Sequence, residues 1–284
     1  MCRLFGLHAG FARVTASFWL TDAPDSLSAQ SRRNPDGFGM GTFAPDGTPV
    51  VDKAPLTAWR QSEFAVAAHS LEGTTFVAHV RHASTGALTK VNTHPFLQRG
   101  RLFAHNGIIA DLGRLDARLR DLGADALVRG QTDSERFFAL ITAETERLGG
   151  DVAAGIRSAV VWVCAELPVF SVNFVLTTPT DLWALRLPRA NSLYVLDRVA
   201  GGGGTSRSLR ADGSYLSAKS EPLNDQAAVV VASEMMDDDP GWRELAAGEL
   251  LHVDQALTCE STLVPAVTHW DQGTPPGAGA PGSG

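Results

Sequence analysis

Apolar segments of strand length lie toward both ends of this sequence, and helical stripes fill only its middle. That order constrains the fold more than any other feature. In the first half, Cys2–Leu7, Asp36–Phe43, Thr75–Arg81 and Arg101–His105 are short runs separated by glycine turns. Asp36–Phe43 (DGFGMGTF) alternates glycine with larger residues, the pattern of a strand closely approached by another backbone. Leu112, Leu115, Leu119 and Leu122 then recur at helical spacing until Gly123 stops the run. A second helical stripe covers Asp133–Leu148, capped by Thr132 and stopped by Gly149–Gly150, and a third covers Val152–Cys164. Strands return at Ser171–Thr177, Leu182–Leu187, Ser192–Leu196, Ala227–Ser233 and Glu249–Val253, with Pro179 and Asp181 turning the first into a hairpin. Strands, helices, then strands again predict an α+β fold with two packed sheets and helices outside.

The 284 residues, 44% of them hydrophobic, suffice to bury a full core. A net charge of −7 with scattered Lys and Arg argues against a nucleic-acid partner, since the one dense pair, Arg32–Arg33, is too short to track a phosphate backbone. Cys2, Cys164 and Cys259 form no CxxC pair, which suits a reducing cytoplasm; the latter two read as inert packing residues in a helix and a strand. His8, Gly10, Arg13 and Thr15 interrupt any leader-like run, and the longest apolar stretches fall short of the roughly 20 residues a membrane helix needs. The expectation is a cytoplasmic protein with no membrane partner. Gly201–Gly204 reads as a flexible loop without the Lys-Ser/Thr that phosphate binding requires. Residues 1–270 read as one domain and 271–284 as a disordered Gly/Pro-rich tail.

The second position carries the most chemistry. Removal of Met1 leaves Cys2 with a thiol and a free α-amine on one residue. That amine, with a reference pKa of about 8, can take the thiol proton without a histidine partner. Three downstream segments supply what an amide-cleaving thiol needs. AHVRHASTG puts Arg81 at a strand end, where a guanidinium can grip a carboxylate bidentately. FAHNGII puts Asn106 and Gly107 at another strand end, offering an amide and a backbone N–H as oxyanion donors. GQTDSE puts Asp133 at a helix start, where it can hold an α-ammonium group. Each also has a simpler reading: a surface salt bridge, a turn, a helix cap.

Together these segments resemble the class II glutamine amidotransferases of the N-terminal nucleophile hydrolase superfamily. The resemblance runs in order through MCRLFGL, RRNPDGFGMG, VAHVRHASTG, NTHPF, FAHNGII and GQTDSE, and VVVASEMMDDDPGWRELAAGELLHVD extends it towards the end. It implies a four-layer αββα sandwich, with Cys2 attacking a side-chain amide to form a γ-glutamyl thioester. Asn106 and Gly107 would stabilise the oxyanion, Arg81 would bind the substrate α-carboxylate, and Asp133 its α-amine. Ser84 and Thr85 fall where the family has further pocket-lining residues, while Asp36, Gly37 and Gly39 match a motif of sheet packing. His82 stands where transferase relatives often carry Trp or Tyr. No stretch reads as a synthase domain, so the ammonia acceptor is either a separate synthase subunit or water. The second case resembles small standalone relatives, including the amidohydrolase of ergothioneine biosynthesis. Specificity beyond the γ-carbonyl is expected in loops such as Leu56–Ala68 and Gly201–Leu216.

No cofactor or metal is expected. A metal hydrolase is nevertheless a rival reading, because His79, His82, His94 and His105 lie in one stretch, although His79 and His82 point to opposite faces of a strand. Other rivals are a non-catalytic or ammonia-supplying subunit and a cysteine hydrolase of a different amide. Arg81 and Asp133 favour an α-amino-acid head group over a fatty acyl chain.

Overall fold

The structure, a computed structural model, is described for residues 2–31, 36–55, 62–81, 87–198, 210–213, 216–219 and 226–269. The first part of the chain supplies strands β1 (Arg3–His8), β2 (Phe38–Phe43), β3 (Pro49–Ala54) and β4 (Thr75–Val80), with short helix α1 (Leu27–Gln30) and helix α2 (Ser62–Ser70) between them. Then come β5 (Phe96–Gln98), β6 (Arg101–Ile109) and helices α3 (Leu112–Asp121), α4 (Asp133–Arg147) and α5 (Val152–Glu166). The remainder supplies β7 (Val169–Thr177), β8 (Leu182–Leu185), β9 (Tyr194–Arg198), β10 (Ala228–Ala232), β11 (Arg243–Glu244), β12 (Glu249–Val253) and β13 (Cys259–Leu263).

Two large antiparallel sheets result, beside two small two-stranded ones. One has the order β11–β9–β10–β1–β4–β2–β3, the other β13–β12–β8–β7–β6–β5. Three apolar clusters define four layers. Phe5, Leu7, Phe76, Ala78 and Val80 on the outer face of the first sheet pack with Trp19, Leu27 and Phe64 of the helical segments covering it. Phe103, Val172 and Phe174 on the outer face of the second sheet pack with Leu115, Phe137, Ile141 and Val160 of α3, α4 and α5. Between the sheets, Leu4, Val77 and Val229 meet Leu102, Ala104, Val175 and Leu251. Each fully buried Val, Leu, Ile or Phe side chain among these contributes roughly 1.5–3 kcal/mol. The α+β, four-layer αββα architecture is therefore the one expected.

Local chemistry explains the elements that the sequence announces. Thr132 Oγ1 accepts from Glu135 N at 3.2 Å and starts α4 as a cap. A Cβ on Gly39 would lie 2.1 Å from the His94 carbonyl oxygen, so the alternating glycines of β2 do admit another backbone. The β7–β8 hairpin closes through Thr178 N donating to Asp181 O at 2.9 Å.

Four expectations need correction. Ser62–Ser70, inside the expected loop Leu56–Ala68, is helical; residues 56–61 lie outside the described ones. Within the expected loop Gly201–Leu216, Arg210–Gly213 pairs with Leu216–Lys219, and Gly201–Gly204 lies outside the described residues. Cys259 is exposed on the edge strand β13 rather than packed inside. Asn106 and Gly107 lie inside β6, which runs on to Ile109, rather than at a strand end; Cys164, partly buried, does pack against the apolar cluster beneath the helices. The expected tail, 271–284, also falls outside the described residues. Among the described residues no helix is long and apolar enough to cross a membrane.

Candidate active site

Strand parity brings the central residues together. On β1, Leu4 faces the second sheet, so Cys2, two residues earlier, continues that face. On β4, Val77 faces inward, and the same parity carries through His79 to Arg81. On β6, Leu102 and Ala104 face the first sheet, which places Asn106 opposite it. The β1–β4 register pairs Arg3 with Val80, so its continuation sets Cys2 beside Arg81. Three residues far apart in sequence thus converge at one rim of the sandwich.

The geometry closes this convergence. Asn106 Nδ2 donates to the Cys2 carbonyl oxygen at 3.0 Å, and Arg3 Nη1 donates to the same oxygen at 3.3 Å. Arg3 in turn pairs with Glu234, while Leu4 N donates to Ser233 Oγ at 2.9 Å. The first residues of β1 are therefore held from both neighbouring sides. Arg81, 5% exposed, is fixed by its backbone: Arg81 N donates to Gly37 O at 2.8 Å and Asp36 N to Arg81 O at 3.1 Å. That gives the Asp36–Gly37 motif its structural use.

Strand β5 pairs with β6 only as far as Phe103, so among the described residues Asn106 and Gly107 have a strand neighbour on one side alone. A Cβ on Gly107 would lie 1.9 Å from Ser171 O and 2.2 Å from His105 Nε2, which leaves room for glycine alone. Ser171 Oγ donates to Asn106 O at 2.9 Å, and Asn191 Nδ2 donates to Ser171 Oγ at 2.9 Å, so a second-sheet network fixes the Asn106 backbone.

Asp133 is 5% exposed at the first turn of α4. Its Oδ2 accepts from Ile109 N at 3.0 Å, which ties α4 to β6 two residues beyond Gly107. Its Oδ1 lies a long 3.5 Å from Ser134 Oγ and keeps lone pairs for a cation. His105 Nε2 faces the Ser171 carbonyl at 3.2 Å, so that nitrogen carries the proton and Nδ1 accepts from Ser134 Oγ at 2.9 Å. Burial pushes His105 below its usual range, against the Asp133 charge and the Ser171 carbonyl.

His79 and His94 lie in the same interior with ring centroids 4.2 Å apart. Burial first, then the nearby His105 and Arg81, pushes His79 down to about 3, and burial also holds His94 well below its usual value. Among the described residues no group of three or more His, Cys, Asp or Glu is placed to hold a metal ion. Ser84, Thr85 and His82 lie outside the described residues. Ser171, Asn191, Ser134, Ser233 and Glu234 were missed by sequence reasoning. Ser134, in GQTDSE, and Ser233–Glu234, in VVVASEMMDDDPGWRELAAGELLHVD, sit in segments that carry the resemblance, where no role marks them; Ser171 and Asn191 have no such signal.

Comparison with known proteins bears on this arrangement. The profile of the glutamine amidotransferases class-II family matches residues 1–273. The chain is 32% identical over 171 residues to the probable glutamine amidotransferase DUG3 of Saccharomyces cerevisiae, covering 53% of this chain and 47% of that one. It thus spans about half the length of that relative. It is 30% identical over 268 residues to the gamma-glutamyl-hercynylcysteine sulfoxide hydrolase of Mycobacterium tuberculosis, covering 90% of this chain and 94% of that one. A solved glutamine aminotransferase class-II domain protein from Silicibacter pomeroyi shares the fold at a TM-score of 0.59 and 20% identity, covering 92% of this chain and 99% of that one.

Proposed function

The chain belongs to the class II glutamine amidotransferases, and on that premise we propose that it hydrolyses a γ-glutamyl amide through a thioester on Cys2. The observation that carries the reading is the meeting of Cys2 and Asn106 across the two sheets, 3.0 Å from carbonyl oxygen to amide nitrogen, beside Arg81.

Removal of Met1 leaves the Cys2 α-amine free to accept the thiol proton. The sulfur then attacks the side-chain amide carbon, and its oxygen takes the electron pair as an oxyanion. The second N–H of the Asn106 amide and the Gly107 N–H donate to that oxyanion. Collapse breaks the C–N bond, the α-ammonium returns its proton to the departing amine, and a γ-glutamyl thioester remains. Water, deprotonated by the same amine, repeats the attack and releases glutamate and the thiol. Arg81 holds the α-carboxylate of the substrate and Asp133 its α-ammonium; the family resemblance assigns Ser84 and Thr85 to the same head group. This head group is common to free glutamine and to γ-glutamyl compounds.

Water as the acceptor is supported by the mycobacterial hydrolase, which matches this chain over 94% of its own length. An ammonia-accepting synthase subunit is the alternative that the resemblance leaves open. Glutamate release from glutamine and from a panel of γ-glutamyl peptides and thiol conjugates tests the reading. Release by the native chain and its loss in Cys2→Ala supports it; release that persists in Cys2→Ala refutes it.

A further inference from the structure

A pocket of about 590 Å³ is lined in part by β3 and β5, an edge strand of each sheet. It adjoins the candidate active site through residues 87–92 and 129–135, yet Cys2, Arg81, Asn106, Gly107 and Asp133 are absent from its lining. Its charge runs against that of the chain. The whole sequence carries a net −7, whereas the pocket gathers Lys53, Lys90, Arg99 and Arg129 around one carboxylate, Glu135.

These groups are unequally engaged. Arg99 pairs with Glu146 at 2.9 Å. Glu135 Oε2 accepts from Gly130 N at 2.6 Å. Lys53 Nζ donates to Thr93 O at 2.7 Å and to Pro95 O at 3.0 Å, above the Phe96 ring, which fixes the ammonium on the pocket wall. Burial, then the Lys90 charge, brings the Lys53 pKa down to about 8 against the pull of Glu135. An anion bound there would reverse that shift. Lys90 and Arg129 stand exposed in the lining.

We propose that this pocket is a second ligand site, taking a small multiply charged anion whose charge is met by Lys53, Lys90 and Arg129. Phosphate and polycarboxylate groups share this chemistry, and the probes below separate them.

Titration calorimetry at fixed ionic strength, on the full chain with Cys2→Ala to prevent turnover, tests the site with pyrophosphate and with citrate. The expected result is saturable binding of at least one probe, weakened about tenfold or more in the added double variant Lys90→Ala, Arg129→Ala. Both positions are exposed, and an unchanged circular dichroism spectrum shows that the double variant is folded. The probe that binds identifies the anion chemistry. Binding should also be unchanged by saturating glutamine, which separates this site from the one assigned to the amino-acid head group. Absence of binding by both probes overturns the proposal. So does binding that survives the double variant, or binding that glutamine displaces.

Discussion

Asn106 Nδ2 donates to the Cys2 carbonyl oxygen at 3.0 Å, linking the second sheet to the first at the point where β1 begins. The contact uses one N–H of the amide and leaves the other for a ligand. Replacing Asn106 by Ala should therefore lower kcat by about 10²–10³ if the second N–H serves an oxyanion. Steady-state glutamate release checks this. Unchanged turnover in a folded Asn106→Ala protein removes the residue from the catalytic account.

Gly107 makes a steric prediction that is independent of chemistry. A methyl group there meets Ser171 O at 1.9 Å and His105 Nε2 at 2.2 Å, and the first of these is backbone. Gly107→Ala should cost stability by about 1–3 kcal/mol or more, the range for overpacking. A urea denaturation midpoint well below that of the native chain is expected; an unchanged midpoint contradicts the packing described.

Arg81 is expected to act on binding. A hydrogen bond to a charged group is worth about 1.5–3 kcal/mol, so Arg81→Ala should raise KM for glutamine about tenfold or more. Arg81→Lys should recover only part of this, since the ammonium lacks the planar fork. KM values indifferent to both changes exclude Arg81 from the head-group site.

Glu144 sets a pH dependence of stability. Burial opposes its charge, but hydrogen bonds from Arg147, Arg118 and Ser158 outweigh that and hold its carboxyl below the usual carboxylate range. Its contribution is complete above the ordinary value of 4.5 and is lost as pH falls through the lower folded value. Glu144→Gln should thus be less stable than the native chain at neutral pH, with the difference shrinking in acid. Denaturation midpoints at pH 7 and pH 3 check this, and a difference that grows in acid contradicts it.

The parts of the fold legible in the sequence were those with local signals. Thr132 ahead of a long apolar stripe announced α4, and the glycines of β2 announced a close backbone approach. Strand β3 was not read because Val50, Val51, Asp52 and Lys53 are all half-buried at a sheet edge, where alternation disappears. Helix α2 is short, with Ser, Glu and His at its two ends and three alanines between, and β5 is three residues long. At the candidate site, Cys2 and Arg81 were legible as residue types at strand ends and Asp133 at a helix start, whereas Asn106 was legible as a type but lies inside β6. Their supports were not. Ser171 is 65 residues from the Asn106 it holds, and Ser134 is 29 from His105. Such partners are chosen by sheet register, which no local pattern records.

The central claim is that Cys2, as the first residue of the mature chain, is the nucleophile. The most direct test treats the purified protein with a glutamine-analogue alkylator and measures intact mass and the modified peptide. The account expects a mass lacking Met1, one adduct on Cys2, and glutamate release lost in proportion to labelling. A protein that retains Met1 and still releases glutamate, or one inactivated by an adduct elsewhere, contradicts it.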